Sequence, residues 1–192
     1  MKTTWLGKSS LIFNTGDTVI AINPFNTGVK ADLVIITDAH AHHFAKDTAL
    51  AMANDGATVL VAPDLAEDYV PFPPHSVWSV NNVTVYSVRA TSGIGIIIDD
   101  GERTYYVAGK TLYNFEVIDD VLDLVEDGVD FAFLPINGKG GNMHARDAAD
   151  FAYEIGAKAA VPVCYCEHCA VDPEDFDFED AIILEKGVET EI

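Results

Sequence analysis

The chain has 192 residues, of which 31 are Asp or Glu and 11 Lys or Arg, for a formal charge of −20. Such a surface repels phosphate backbones and anionic membrane faces, so neither nucleic acid nor a membrane is an expected partner. Hydrophobic residues at 49% and charged ones at 22% exclude a disordered or collagen-like chain, and apolar runs such as Val19 to Ile22, Leu33 to Ile36 and Ile94 to Ile98 are too short to span a bilayer.

Lys8, Ser9 and Ser10 interrupt the first apolar residues, so no secretory leader is expected and the cytoplasm is the expected location. Cys164, Cys166 and Cys169 fall within one short stretch, which rules out the long-range staples of a secreted disulfide scaffold.

In chain order, β-branched and apolar runs separated by glycines predict strands at Thr3 to Leu6, Ser9 to Phe13, Thr18 to Ile22 and Asp32 to Thr37, with Gly16-Asp17 as a hairpin turn. A helix capped by Asp47 is expected to run to about Gly56, ahead of a strand at Thr58 to Val61. A second strand series follows at Ser76 to Val80, Val83 to Val88, Ile94 to Asp99 and Arg103 to Val107, with turns at Asn81-Asn82 and Asp99-Asp100-Gly101. Helical spacing of Val117, Ile118, Val121, Leu122 and Val125 predicts a helix over Phe115 to Glu126, then a strand at Phe131 to Leu134. A helix over Ala145 to Ile155 and a buried strand at Ala159 to Val163 close the pattern. From about residue 170 the chain is acidic, with Phe176 and Phe178 placed to dock Asp172 to Asp180 onto the body. Two strand series, each followed by helices, with no linker between them, predict one domain over residues 1–192, a four-layer α/β/β/α sandwich.

In such a sandwich chemistry sits where apolar runs stop at polar clusters. Five segments meet that description: Trp5-Leu6-Gly7-Lys8-Ser9-Ser10, Asn23-Pro24-Phe25-Asn26-Thr27-Gly28, Thr37-Asp38-Ala39-His40-Ala41-His42-His43, Val107-Ala108-Gly109-Lys110-Thr111, and Leu134-Pro135-Ile136-Asn137 running into Gly138-Lys139-Gly140-Gly141-Asn142-Met143. In this order they resemble the metallo-β-lactamase-fold hydrolases, in particular the branch with bacterial lactonase-like metal-dependent hydrolases, from Thr3 to about Tyr165.

The family pattern implied by that resemblance is Trp-Leu-Gly-His-Ser-Ser, Asp-Pro-Phe, Thr-His-x-His-x-Asp-His, a later lone His, Gly-Asp-Thr and a final His-Tyr. Here Lys8 stands for a His and Asn23 for an Asp, while Asp38, His40, His42 and His43 fill the central motif with only His40 and His43 matching. Thr91 falls where the third His would lie, Lys110 replaces the Asp that would bridge two metals, and Cys164 replaces the last His. An ammonium adds to the repulsion that a bridging carboxylate would offset, so a two-metal centre is not expected.

One zinc or other divalent ion is the alternative to no metal at all. His42, His43 and Cys164 offer two imidazoles and a thiolate, and Asp38 with His40 a set richer in oxygen. The competing reading is a hydrogen-bonded, metal-free polar loop. Cys164 to Cys169 also holds a Cys-x-x-Cys spacing, but with no second pair it reads as free thiols rather than a redox or zinc motif. His75 reads as a surface-loop residue, His168 as part of the tail, and His144 either faces the pocket or flanks the helix that follows it.

Lys8, Lys110 and Lys139 fall on three strand-end loops that the fold brings together, and Gly138, Gly140 and Gly141 let backbone N–H groups approach an anion. The competing reading turns Lys139 to solvent and pairs Lys8 with Asp38. The functional expectation is a hydrolase-like protein for a small anionic ester or lactone. Lys110, Lys8 and Asp38 carry its chemistry, and Asn137, Gly138, Lys139, Thr91 and His144 line the ligand pocket. Its alternative is a non-catalytic binding protein or sensor using the same lysines, and the oligomeric state, homo-oligomer included, is left open.

Overall fold

The computed structural model describes residues 1–24, 28–39, 46–65, 69–165 and 171–192. Its strands are β1 (Lys2–Gly7), β2 (Ser10–Asn14), β3 (Val19–Ile22), β4 (Ala31–Ile36), β5 (Ala53–Val61), β6 (Val70–Pro71), β7 (Val77–Val80), β8 (Val83–Arg89), β9 (Ile94–Asp99), β10 (Thr104–Val107), β11 (Phe131–Pro135), β12 (Ala159–Val163) and β13 (Glu189–Glu191). The helices among the described residues are α1 (Lys46–Met52), α2 (Phe115–Leu122) and α3 (Ala145–Glu154).

Two mixed sheets result, one in the order β13-β1-β2-β3-β4-β5-β6 and one in the order β12-β11-β10-β9-β8-β7. Strands β3 to β6 run parallel in the first sheet and β10 to β12 in the second. Leu11, Phe13, Ile20, Ile22, Leu33 and Ile35 of one sheet interdigitate with Val85, Ile96, Ile98, Tyr105, Phe133 and Val161 of the other, which is the alternation that two facing sheets require. The outer faces bury separate cores: Val117, Ile118 and Val121 of α2 and Ala148, Phe151 and Ala152 of α3 cover the second sheet. Ala49 and Met52 of α1 cover Val34, Ile36 and Val61 of the first. The four layers are those expected from the sequence.

Four elements depart from expectation. The first helix stops at Met52, and the chain enters β5 at once, because β4 reaches back to pair Ala31 with Ala53 while the Asn54 amide donates to Asp32 at 2.8 Å. Tertiary pairing there overrides the helical pattern toward Gly56. Helix α2 ends at Leu122 rather than Glu126; Asp123, Glu126 and Asp127 sit where the helix dipole disfavours acidic groups. Strands β6 and β13 carry no apolar alternation and were not expected; β13 pairs with β1 in the register Lys2↔Glu191, with Lys2 and Glu189 ion-paired at 2.9 Å. The acidic segment docks as expected: Phe176 and Phe178 are buried, and the ring of Tyr153 of α3 packs at a tilt against Phe178 at 4.6 Å.

Candidate functional site

The parallel strands of both sheets deliver their C-terminal ends to one edge of the sandwich, where open α/β sheets bind ligands. Two backbone hydrogen bonds stitch the sheets together there. The N–H of Ile94, opening β9, donates to the carbonyl of Thr37 after β4 at 2.9 Å, and the N–H of Cys164 after β12 donates to the carbonyl of Lys8 after β1 at 2.9 Å. The Lys8 carbonyl also accepts from the Trp5 indole at 2.8 Å, and the Trp5 ring packs on Tyr165 at 4.7 Å.

Asp38 projects from the end of β4 and is buried. Its setting is fixed from below by Asn23, at the end of β3. The Asn23 side-chain oxygen accepts the Thr37 N–H at 2.9 Å, and its NH₂ reaches the Thr37 hydroxyl at 2.9 Å. From above Gly93 closes on the same turn: a Cβ there would lie 1.9 Å from the Thr37 carbonyl oxygen and 2.8 Å from Asp38 Cβ. Only glycine tolerates both that approach and its φ of +72°. Lys8, Asn23 and Cys164 are non-glycine residues held at φ of 52°, 46° and 62°, a concentration of backbone strain of the kind that marks functional sites.

Cys164 is buried, and its thiol is pushed up to about 12, first by desolvation and then by the negative field of Asp38; the positive charge of Lys8 works in the opposite direction. Asp38, Cys164 and Lys8 therefore share one electrostatic neighbourhood. Lys110 joins them through the backbone: the Ser92 N–H donates to its carbonyl at 3.1 Å, one residue before Gly93, and its half-buried side chain lies against Gly141. Thr91 is exposed, and its hydroxyl accepts the N–H of Leu112 at 2.8 Å.

The glycine-rich loop is a closed turn: Gly138 donates to the Met143 carbonyl at 2.8 Å, and Asn137 Oδ1 accepts from both the Lys139 N–H at 3.2 Å and the Asn142 amide at 3.0 Å. The Met143 N–H donates to the Thr111 carbonyl at 3.0 Å, which ties this loop to the Lys110 segment. Lys139 and His144 are exposed; His144 occupies the N-cap position of α3 without a side-chain capping bond, and its ring lies against Gly138. The structure thus gathers Lys8, Asp38, Cys164, Lys110 and the Asn137 to Met143 loop, while the Lys139 side chain lies at the exposed surface of that loop. His40, His42, His43, Cys166 and Cys169 lie outside the described residues.

Gly93 escaped the sequence reading as a site-building residue, whereas Trp5 and Asn23 stood in two of the five motif segments. The signal for Gly93 was a glycine between the polar pair Thr91-Ser92 and the apolar run Ile94 to Ile98. As metal donors, one carboxylate and one thiol in mutual electrostatic reach suit a single zinc-like ion, whose charge would draw off the thiol proton. Among the described residues no three His, Cys, Asp or Glu side chains cluster, and the positive charge of Lys8 acts on the Cys164 thiol.

The chain matches the model of the beta-lactamase superfamily domain over residues 2–164. It is 28% identical over 209 residues to a UPF0173 metal-dependent hydrolase of Geobacillus, covering 92% of this chain and 91% of the relative. It is also 28% identical over 190 residues to a UPF0173 metal-dependent hydrolase of Thermus thermophilus, at 84% and 82% coverage. Among solved structures it resembles a metallo hydrolase of the hyperthermophilic archaeon Ignicoccus hospitalis, with TM-score 0.80, 21% identity and coverage of 98% and 97%. A metallo-β-lactamase fold protein of Bacillus subtilis superposes with TM-score 0.79 at 16% identity, with 98% of each chain covered. With its two facing sheets and a site at their shared edge, this chain belongs to the beta-lactamase superfamily and carries the metallo-β-lactamase fold.

Proposed function

We propose that the protein is a hydrolase of small anionic esters or lactones that works with at most one divalent metal ion. The observation that carries this reading is the meeting of Asp38 and Cys164, both buried, beside the lysines at the edge where the two sheets join. Asp38 and Cys164, completed by imidazoles from His40, His42 and His43, are the residues that would hold the ion. What a divalent ion supplies when bound is Lewis-acid activation of water near neutral pH.

The rest falls to the chain's own groups. Lys110 and Lys8 bind the anionic group of the substrate and offset the negative charge that develops on its carbonyl oxygen during attack. Asn23 and Gly93 keep Asp38 from swinging away, so the carboxylate meets each substrate in one orientation. The similarity to curated metal-dependent hydrolases supports the reaction class.

Elemental analysis of the purified protein, paired with a panel of lactones, carboxylic esters and phosphoesters, tests this. The expected result is one zinc or fewer per chain and hydrolysis that disappears in Asp38→Ala. Two tightly held ions per chain would refute it. The positive charge of Lys8 beside Cys164 favours a second reading, an anion-binding protein without hydrolytic chemistry. Anion binding with neither metal nor turnover would establish that reading instead.

A further inference from the structure

A strand at the end of a sheet leaves half of its backbone N–H and C=O groups unpaired, and native chains block such edges with charge, proline, short length or a covering segment. Three of the four sheet ends carry such a block. In the first sheet β13 presents Glu189 and Glu191, and β6 is two residues long and contains Pro71. In the second sheet β12 is covered: the Ile182 N–H donates to the Ala160 carbonyl at 2.8 Å, and the Ala160 N–H to the Asp180 carbonyl at 3.2 Å. At the other end of that sheet, among the described residues, nothing lies beyond β7, which reads Val77-Trp78-Ser79-Val80.

The pairing of β7 with β8 fixes which groups the open edge offers. The Ser87 N–H donates to the Ser76 carbonyl at 3.0 Å, and bonded pairs alternate with non-bonded ones along an antiparallel ladder. With Trp78 opposite Val85 and Val80 opposite Val83, those pairs are the bonded ones, and the N–H and C=O of Val77 and Ser79 point outward. Trp78 and Val80 pack on the core between the sheets, while the side chain of Val77 is 58% exposed. The hairpin is anchored at its turn, where the Asn81 amide donates to the Thr18 hydroxyl at 2.9 Å.

The charge pattern selects the occupant. Tyr69 to Val88 is the longest stretch of the sequence without Asp, Glu, Lys or Arg, in a chain of net charge −20. Two copies repel each other over most of their surface, and this uncharged edge is where they approach at least cost. A basic partner would be drawn to the acidic surface instead. The edge is also self-complementary. An antiparallel two-fold centred on Trp78 sets Val77 of each copy opposite Ser79 of the other, so the outward N–H and C=O groups of both residues are satisfied at once.

We propose that the protein self-associates through β7, joining the six-stranded sheets of two copies into one continuous sheet. A four-residue edge falls short of the roughly 800 Å² per partner of a stable interface, so the copies join at high concentration and part on dilution.

Sedimentation of the whole protein across a dilution series tests this. The wild type is expected to shift from 20.7 kDa at about 1 μM toward twice that mass at about 1 mM. Raising salt from about 50 to 500 mM should favour the dimer, because it screens the repulsion between two acidic copies. Ser79→Pro removes an outward N–H that β8 does not use, and Val77→Glu sets a charge on the exposed edge; each should keep the monomer mass throughout. Circular dichroism matching the wild type shows that each variant is folded, and one folded variant suffices. A wild type that stays monomeric at about 1 mM overturns the proposal. So does a dimer that persists in a folded variant, which puts the interface elsewhere, or one that salt dissociates, which makes the contact ionic.

Discussion

Replacing Gly93 by alanine puts a methyl group where the Thr37 carbonyl oxygen already stands, 1.9 Å from the new Cβ, and 2.8 Å from Asp38 Cβ. Neither obstacle is the free end of a flexible side chain; one is backbone. Holding an L-residue at φ +72° costs about 1–2 kcal/mol. Moving the Thr37 carbonyl aside sacrifices its 2.9 Å bond from Ile94, about 1 kcal/mol. Displacing the packed turn adds about 1–2 kcal/mol. Gly93→Ala is therefore expected to lose about 3–5 kcal/mol.

Gly101→Ala supplies the control, because Gly101 also has positive φ, +87°, yet nothing lies within 4 Å of its would-be Cβ. That variant pays the conformational cost alone, about 1–2 kcal/mol. Urea denaturation of both variants, compared at equal m-value, reads the difference directly. If Gly93→Ala falls within roughly 0.5 kcal/mol of Gly101→Ala, the contact between the two sheets at Thr37 is softer than described, and the claim that Gly93 sets the position of Asp38 fails.

Other consequences are as easily checked. Asp120, buried on α2, accepts from the Arg89 backbone N–H at 3.1 Å, from Nε at 2.9 Å and from Nη2 at 2.7 Å, and these bonds hold its carboxyl below the ordinary value of 3.8 despite desolvation. Its stabilising contribution is complete above about pH 4 and is lost as pH falls through the depressed folded value. Asp120→Asn should therefore lower stability at pH 6 by about 1–3 kcal/mol and flatten the loss between pH 4 and pH 2 in urea titrations; an unchanged acid limb would contradict this. Cys164, with its thiol pushed up to about 12, should resist iodoacetamide at pH 8 by peptide mapping and become more reactive in Asp38→Asn; alkylation at the rate of a free thiol would show that burial is overstated. Tyr106 buries a hydroxyl with no hydrogen-bond partner among the described residues, so Tyr106→Phe should gain about 1 kcal/mol, and a loss would reveal a partner for that group.

The strands were legible because apolar alternation and glycine punctuation are local, and the layer order followed from which runs came first. Helix ends were less so. The boundary at Met52 depends on Ala31 and Asp32, which capture Ala53 and Asn54 from a neighbouring strand, and no window around Met52 contains that information. Strand β13 is specified by its partner β1 rather than by its own polar residues.

At the site the same division holds. Asp38, Lys8, Lys110 and Cys164 stand at the ends of apolar runs, so their convergence could be read from the motif order. Lys139 looked equivalent by that criterion; its loop folds on itself through Asn137 and leaves the side chain exposed, as that of Lys8 is, while Lys110 is half-buried. The clamp of Asn23 on Thr37 and the close approach of Gly93 are contacts between segments far apart in the chain, and a single sequence carries no trace of distance.

The pairing of β1 on both sides has a kinetic consequence. Its link to β2 joins neighbours in sequence, whereas its link to β13 joins Lys2 to Glu191 and Thr3 to Thr190. Contacts of large sequence separation slow folding, because the loop between them must be closed before they return any energy. The hairpins of β1 to β3 join residues between Lys2 and Ile22, while the outer edge of β1 waits for Glu189–Glu191. Until β13 pairs with it, that edge presents N–H and C=O groups bonded only to water, and β13 is the piece that seals it.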